Sequence, residues 1–161
     1  VRGNCERDPD EQLRNLLGPE ATEWARAWPL TLELDGVLYC HATPQDDTTL
    51  VVETLPAKRF DDALEGVDAR LVVAGHTHMQ FRRDRWVNAG SVGMPYEGNV
   101  AAFWTLVGED DVEFRKTAFD VERAVAEIRA SDWPPAEEFV AENLLVAPSK
   151  AEALAVFESR A

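Results

Sequence analysis

Two histidines one residue apart, in Gly75-His76-Thr77-His78, are the densest concentration of metal-ligating chemistry in the sequence. Neutral imidazole is the commonest protein metal ligand, and this spacing lets both rings serve one space. Gly75 ahead of them lets the backbone turn and approach closely, because it carries no Cβ. The sequence has only three histidines, and the third, His41, ends an apolar strand-like run, Val37-Leu38-Tyr39-Cys40. Near the start, Gly3-Asn4-Cys5-Glu6 adds an amide oxygen, a thiol and a carboxylate. Imidazole nitrogens together with an amide oxygen suit a divalent transition ion such as Mn, Fe, Zn, Co or Ni better than Ca or Mg. Structural zinc would need closely spaced cysteines, and the two present, Cys5 and Cys40, are far apart.

Short elements must deliver these groups. Leu71-Val72-Val73-Ala74 is a continuous apolar run, read as a strand buried on both faces and ending at Gly75. Leu30 to Leu34 alternates, Asp35-Gly36 is a two-residue hairpin turn, and Val37 to Cys40 returns, placing His41 at the far end. Asp8 as N-cap, Pro9 and Glu11 predict a helix with Leu13, Leu16 and Leu17 on one face, stopped by Gly18-Pro19. A second short helix is expected over Ala21 to Trp28, with Trp24 and Trp28 toward the core. Pro56 to Leu64 reads as a helix, and Gln80-Phe81-Arg82 with Trp86-Val87 as a hairpin around Arg83-Asp84-Arg85. Those arginines either approach a phosphate or form a solvated tip. Asn88 to Pro95 is a glycine-rich loop that either shapes a turn under the site or meets substrate through Gly90 and Ser91. Val100 to Val107 and Val112 to Phe119 pair across Gly108-Glu109-Asp110-Asp111. From Asp120 the period is helical, with Val121, Val125 and Ile128 in one stripe. Ser149-Lys150-Ala151-Glu152 is a capping box opening a last helix with Leu154 and Phe157 on one face.

A length of 161 residues suits one domain with a real core. Against 16 Lys and Arg stand 30 Asp and Glu, a net charge of −14, which argues against coating nucleic acid. A phosphorylated small molecule stays open, because bound cations would dominate the local field. No apolar run approaches a membrane span and no signal-peptide pattern is present, so a cytoplasmic location without membrane attachment is expected. A homo-oligomer remains open.

The motif order is specific. Gly3-Asn4-Cys5-Glu6 (GN-x-[D/E]), a lone His41 after a strand, GHTH, and Asn88-Ala89-Gly90-Ser91-Val92-Gly93-Met94-Pro95 (N-x-GSVG-x-P) together resemble the calcineurin-like metallophosphoesterase superfamily. The small bacterial and archaeal phosphodiesterases of that group resemble it in particular, over Val1 to Phe119. The resemblance implies an α/β (α+β) fold: an αββα four-layer sandwich of two mixed sheets flanked by helices. Residues 1–119 would form the core and 120–161 a helical segment packed on the same domain. It implies two divalent transition-metal ions, with Asn4, His41 and His76 as ligands of one and His78 of the other. Cys5 and Glu6 would belong to the catalytic machinery, and Asn4, Gly90 and Ser91 would meet the substrate.

The implied activity is hydrolysis of a phosphodiester or nucleotide-like substrate, with a dinuclear centre activating a bridging water or hydroxide for in-line attack on phosphorus. The family's D-x-H and G-D-x-x-D motifs, which supply the remaining ligands, do not occur in this sequence. They are expected ahead of Val1 in a longer protein. Cys5 stands where many relatives carry a histidine near the leaving group, and a thiol is a poor substitute for imidazolium, so good leaving groups are favoured. Glu6 would orient its neighbours. The alternative from another class is a non-catalytic protein-interaction scaffold on the same fold, and a third reading is a mononuclear metal-binding protein.

Overall fold

The computed structural model describes residues 1–109 and 111–159. They divide into two compact units, one of Val1–Thr77 with Phe81–Asn88, the other of His78–Gln80 with Ala89 to Ser159. The architecture is α/β, with a five-stranded mixed sheet, a second, two-stranded sheet, and helices.

In the first unit, α1 (Asn4–Arg7) and α2 (Glu11–Arg26) precede β1 (Thr31–Leu34) and β2 (Val37–Cys40). Then come α3 (Ala57–Asp62), β3 (Leu71–Ala74), β4 (Gln80–Arg83) and β5 (Trp86–Ala89), whose terminal residues Gln80 and Ala89 count with the second unit, in the sheet order β1-β2-β3-β5-β4. All four residues of β3 are buried, as a run apolar on both faces requires, and it lies parallel to both β2 and β5. Asp35 (φ 51°) and Gly36 (φ 71°) form the left-handed turn closing the antiparallel β1–β2 hairpin. Because β2, β3 and β5 run the same way, their C-terminal ends share one edge of the sheet. His41, Gly75 and Asn88 therefore fall at the edge where open α/β sheets bind ligands.

The helix before the hairpin departs from expectation. Asp10, not Asp8, caps α2, its carboxylate accepting from the Leu13 N–H at 2.8 Å. Asp8 is already engaged as the end of α1, its N–H bonded to the Asn4 carbonyl. Gly18-Pro19 does interrupt the helix as the sequence predicts: Gly18 leaves helical geometry (φ 74°, ψ 167°), and a second helical stretch runs from there to Arg26, so α2 is two helices joined at a sharp break. Trp24 is 66% exposed and not in the core; its ring meets Trp28 edge-on at 4.8 Å.

In the second unit, β6 (Ala102–Val107) and β7 (Val112–Thr117) form an antiparallel pair. Asp110 of the expected connection lies outside the described residues, while the Gly108 N–H donates to the Asp111 carbonyl at 2.9 Å. Helix α4 (Val121–Arg129) is followed by α5 (Ala136–Phe139), a π-helical turn (Val140–Leu144) and α6 (Lys150–Glu158). The stripe of α4 meets the π-turn: Val125, Val140 and Leu144 form a buried cluster against which Val121 and Ile128 pack. Ser149 opens α6 with the reciprocal capping box; residues 160 and 161 of the expected tail lie outside the described residues. Among the described residues no helix is long and apolar enough to cross a membrane.

Candidate metal centre

At the shared strand edge, His41 Nε2 stands 2.8 Å from Asn4 Oδ1 and 3.0 Å from His76 Nδ1. Asn4 is the first residue of α1, and Gly3 before it is a steric necessity: a Cβ there would lie 2.8 Å from the His41 ring. His41 follows β2, and its carbonyl accepts from the Gly75 N–H at 2.8 Å, joining the ends of two parallel strands. His76 is left-handed (φ 64°), a conformation that costs a non-glycine residue on the order of 1 kcal/mol and needs outside support. The support comes through Asn88, fully buried, whose Nδ2 donates to the Gly75 carbonyl at 2.6 Å and to Thr77 Oγ1 at 2.8 Å. Thr77, also buried, donates its hydroxyl to the Val51 carbonyl at 3.2 Å.

The ring nitrogens are distinguishable. His76 Nε2 lies 3.1 Å from the Thr48 carbonyl, which only accepts, so Nε2 carries the proton and Nδ1 presents a lone pair to His41. A histidine that donates one N–H to a backbone carbonyl while the other nitrogen faces a donor cluster has the arrangement of a metal ligand. Cis ligands of one transition ion at about 2.1 Å sit roughly 3 Å apart, so the observed spacings fit a shared cation. Burial, then the neighbouring His76, lowers the His41 pKa, against opposing pulls from Glu6 and Asp47; that favours the neutral ring a metal requires. Asp47, 3% exposed, takes Arg7 Nε at 3.2 Å and Arg2 Nε at 3.9 Å, fixing the segment that carries Asn4 beside the His41 loop. Among the described residues no three of His, Cys, Asp and Glu come together as a metal site, so the amide oxygen of Asn4 is essential to this trio.

The other expected site residues lie as follows. His78 (φ 57°) belongs to the second unit; its ring packs on Tyr96 at 5.2 Å, and its carbonyl accepts from the Tyr96 N–H. Gly90 (φ 84°) and Ser91 are also in that unit, where both shape the loop. A Cβ at Gly90 would lie 2.7 Å from Gln80 Cγ, and Ser91 Oγ accepts from the Met94 N–H at 3.0 Å. Cys5 is exposed beside Asn4, whose Nδ2 lies 3.8 Å from its sulfur. Partial burial, then Glu6 and Asp10, push its thiol up and keep it protonated at neutral pH. Glu6 accepts from the Gly3 N–H at 2.8 Å, closing the first turn of α1.

Of the arginines near the β4–β5 turn, Arg82 is part of a solvated tip, exposed and donating to the Asp84 carbonyl of the turn at 3.3 Å, whereas Arg83 and Arg85 serve neither expected role. Arg83 is stacked over Phe60 and donates to the Leu55 carbonyl, and Arg85 donates to the carbonyls of Val67 (2.8 Å) and Ala69 (2.9 Å). Four contributors escape sequence reasoning: Asn88 as clamp, Thr77, Asp47 and the Thr48 carbonyl. Asn88, as the first residue of the N-x-GSVG-x-P motif, and Thr77, inside GHTH, stood in motifs that did not disclose these bonds.

Comparison by sequence finds no matching family model and no matching curated protein. Solved structures that share the fold include the following two. A metallophosphoesterase from Sphaerobacter thermophilus superposes with a TM-score of 0.72 at 18% identity, over 91% of this chain and 76% of its own. A hypothetical protein from Pyrococcus horikoshii OT3 superposes with a TM-score of 0.65 at 19% identity, over 79% of this chain and 54% of its own. The chain thus spans about half the length of the Pyrococcus protein. It has the fold of a metallophosphoesterase.

Proposed function

We propose that this chain, carrying a metallophosphoesterase fold, is a metal-dependent phosphoesterase acting on phosphodiesters of small, nucleotide-like molecules. The observation that carries the reading is the convergence of Asn4 Oδ1, His41 Nε2 and His76 Nδ1 within 3.0 Å, with the tautomer of His76 set by Thr48. An ion held there, Mn, Fe, Zn, Co or Ni, would supply Lewis acidity toward a phosphoryl oxygen and a water of lowered pKa. A second ion, with His78 among its ligands, belongs to the same proposal. The chain's own groups do the rest. His76 would ligate through Nδ1, the Thr48 carbonyl holding the proton on its Nε2; His41 would ligate through Nε2 by giving up the proton it shares with Asn4 Oδ1; and Asn4 has an amide N–H pair to donate to a phosphoryl oxygen. In the net reaction water oxygen bonds to phosphorus, the ester P–O bond breaks, and the departing alcohol takes the proton. Cys5 is a weak acid beside Asn4, so esters with good leaving groups react fastest. A cytoplasmic location suits the two free thiols.

The test uses the product of the whole reading frame that contains this chain. Bis-p-nitrophenyl phosphate is hydrolysed with added Mn²⁺, and His76→Ala lowers the rate by more than roughly a hundredfold, since even outer partners of metal ligands are worth ten- to a hundredfold. Turnover that survives His76→Ala, or none with any of the five metals, favours the protein-interaction scaffold. Tight binding of a single ion without hydrolysis favours the mononuclear metal-binding protein.

A further inference from the structure

The break in α2 makes a cavity. Leu13 and Leu17 precede Gly18 and Trp24 and Trp28 follow it, and all four line one hollow of about 230 Å³ with Cys5 and Glu6. A straight helix presents a convex surface; here Gly18 redirects the chain (φ 74°, ψ 167°), so the two halves of the helix face a common space. The Thr22 hydroxyl donates to the Gly18 carbonyl at 2.8 Å and secures the turn. The walls are apolar and aromatic, and the indole of Trp24 is left 66% exposed beside Trp28. Among the lining residues the only ionisable groups are Cys5 and Glu6. These two directly follow the metal-ligand candidate Asn4, and the field of Glu6 reaches His41. Through Cys5 and Glu6 the lining of the hollow therefore adjoins the candidate ligand Asn4 along the chain.

We infer that this cavity receives an uncharged aromatic ester group of the phosphoester substrate while the phosphoryl group lies at Asn4, His41 and His76; this rests on the function proposed above. Size, polarity and position agree. An apolar cavity of roughly 150 Å³ takes up benzene, so the larger volume here admits a single ring or a bicyclic base. Glu6 repels an anionic substituent, and no lining cation attracts one. Aromatic walls favour a flat π-system through edge and face contacts. Small-ligand sites are generally apolar clefts with a few polar groups at one end, which is this arrangement.

Two diesters with the same leaving group isolate the effect: bis-p-nitrophenyl phosphate and methyl p-nitrophenyl phosphate, with Mn²⁺ and the whole-frame protein. The aromatic diester has the lower KM, by roughly ten- to a hundredfold, the gain expected from burying one ring. Trp24→Ala and Leu17→Ala, both changes at residues exposed on α2, raise KM for the aromatic diester toward that of the methyl ester and leave kcat for the methyl ester unchanged. Equal KM values for the two esters, or equal effects of Trp24→Ala on both, overturn the cavity while leaving the phosphoesterase reading intact. Should neither ester be hydrolysed, phenylphosphonate decides the matter without turnover. Quenching of tryptophan fluorescence that Trp24→Ala abolishes supports the cavity. Absence of quenching, or quenching indifferent to Trp24→Ala, overturns it. A hollow already filled by another segment or a second copy of the chain would give no quenching and no ester discrimination, and so counts against the proposal.

Discussion

Gly3 has the imidazole of His41 where its own side chain would be, so the first metal-ligand candidate and the second are packed through a missing methyl group. In Gly3→Ala the added carbon would start 2.8 Å from the ring, well inside contact distance, and either the ring or α1 must move. Ligands hold an ion only within tenths of an ångström, so Mn²⁺ affinity falls by roughly tenfold or more, as read by isothermal titration. Unchanged affinity would mean that Asn4 and His41 do not share an ion. Asn88 acts at one remove. Asn88→Leu keeps the shape and removes the donors, leaving the Gly75 carbonyl and the Thr77 hydroxyl short of a buried partner. The cost is about 2–3 kcal/mol, a fall in Tm of roughly 5–10 °C, together with weaker Mn²⁺ binding because His76 loses its hold on a left-handed backbone. A loss of Tm with metal affinity intact would separate folding from positioning. The histidines and glycines were legible in sequence because their types and spacing carry the chemistry. Asn88 was not, because its role depends on the register that sets it opposite Ala74.

At the scale of elements, the loop after β2 depends on one carboxylate. Asp46 accepts from the N–H groups of Thr48 (2.7 Å) and Thr49 (2.6 Å) and from both threonine hydroxyls, and the same loop offers the Thr48 carbonyl to His76. Partial burial acts to raise its pKa, but the bonds from Thr49 and Thr48 together outweigh it and hold the group at about 2. A carboxylate whose folded pKa lies below its unfolded value near 4 stabilises the fold fully above that value, and the contribution fades as pH falls toward 2. Melting temperatures across pH 2–6 therefore show wild type above Asp46→Asn at pH 6, with the gap closing below about pH 4. A gap constant with pH would remove Asp46 from this role. Sequence alone located β2, β3 and the hairpin, whose patterns are short and unambiguous. It misplaced the start of α2, because α1 had already claimed Asp8, whereas the break at Gly18 was legible as a glycine set before a proline.

For the whole molecule, order along the chain was readable from the motifs, and net charge from composition, but not where charge is cancelled. Arg2 and Arg7, which flank Asn4 in the chain, both pair with Asp47, and Arg83 and Arg85 donate to backbone carbonyls, so these four are already engaged. An anionic substrate of the proposed reaction would approach a body of charge −14 against net repulsion. The repulsion doubles from a singly charged diester to a doubly charged monoester. Raising ionic strength from 0.01 to 0.1 M shortens the screening length from about 30 Å to about 10 Å, weakening the long-range repulsion while hardly touching contacts at the site. The ratio of kcat/KM for p-nitrophenyl phosphate to that for bis-p-nitrophenyl phosphate accordingly rises with salt over this range, and at low salt the diester is favoured before any difference in chemistry is counted. A ratio that fell with salt would show that a positive field extends well beyond the site and dominates the approach, and the preference for diesters would then have to come from the pocket alone.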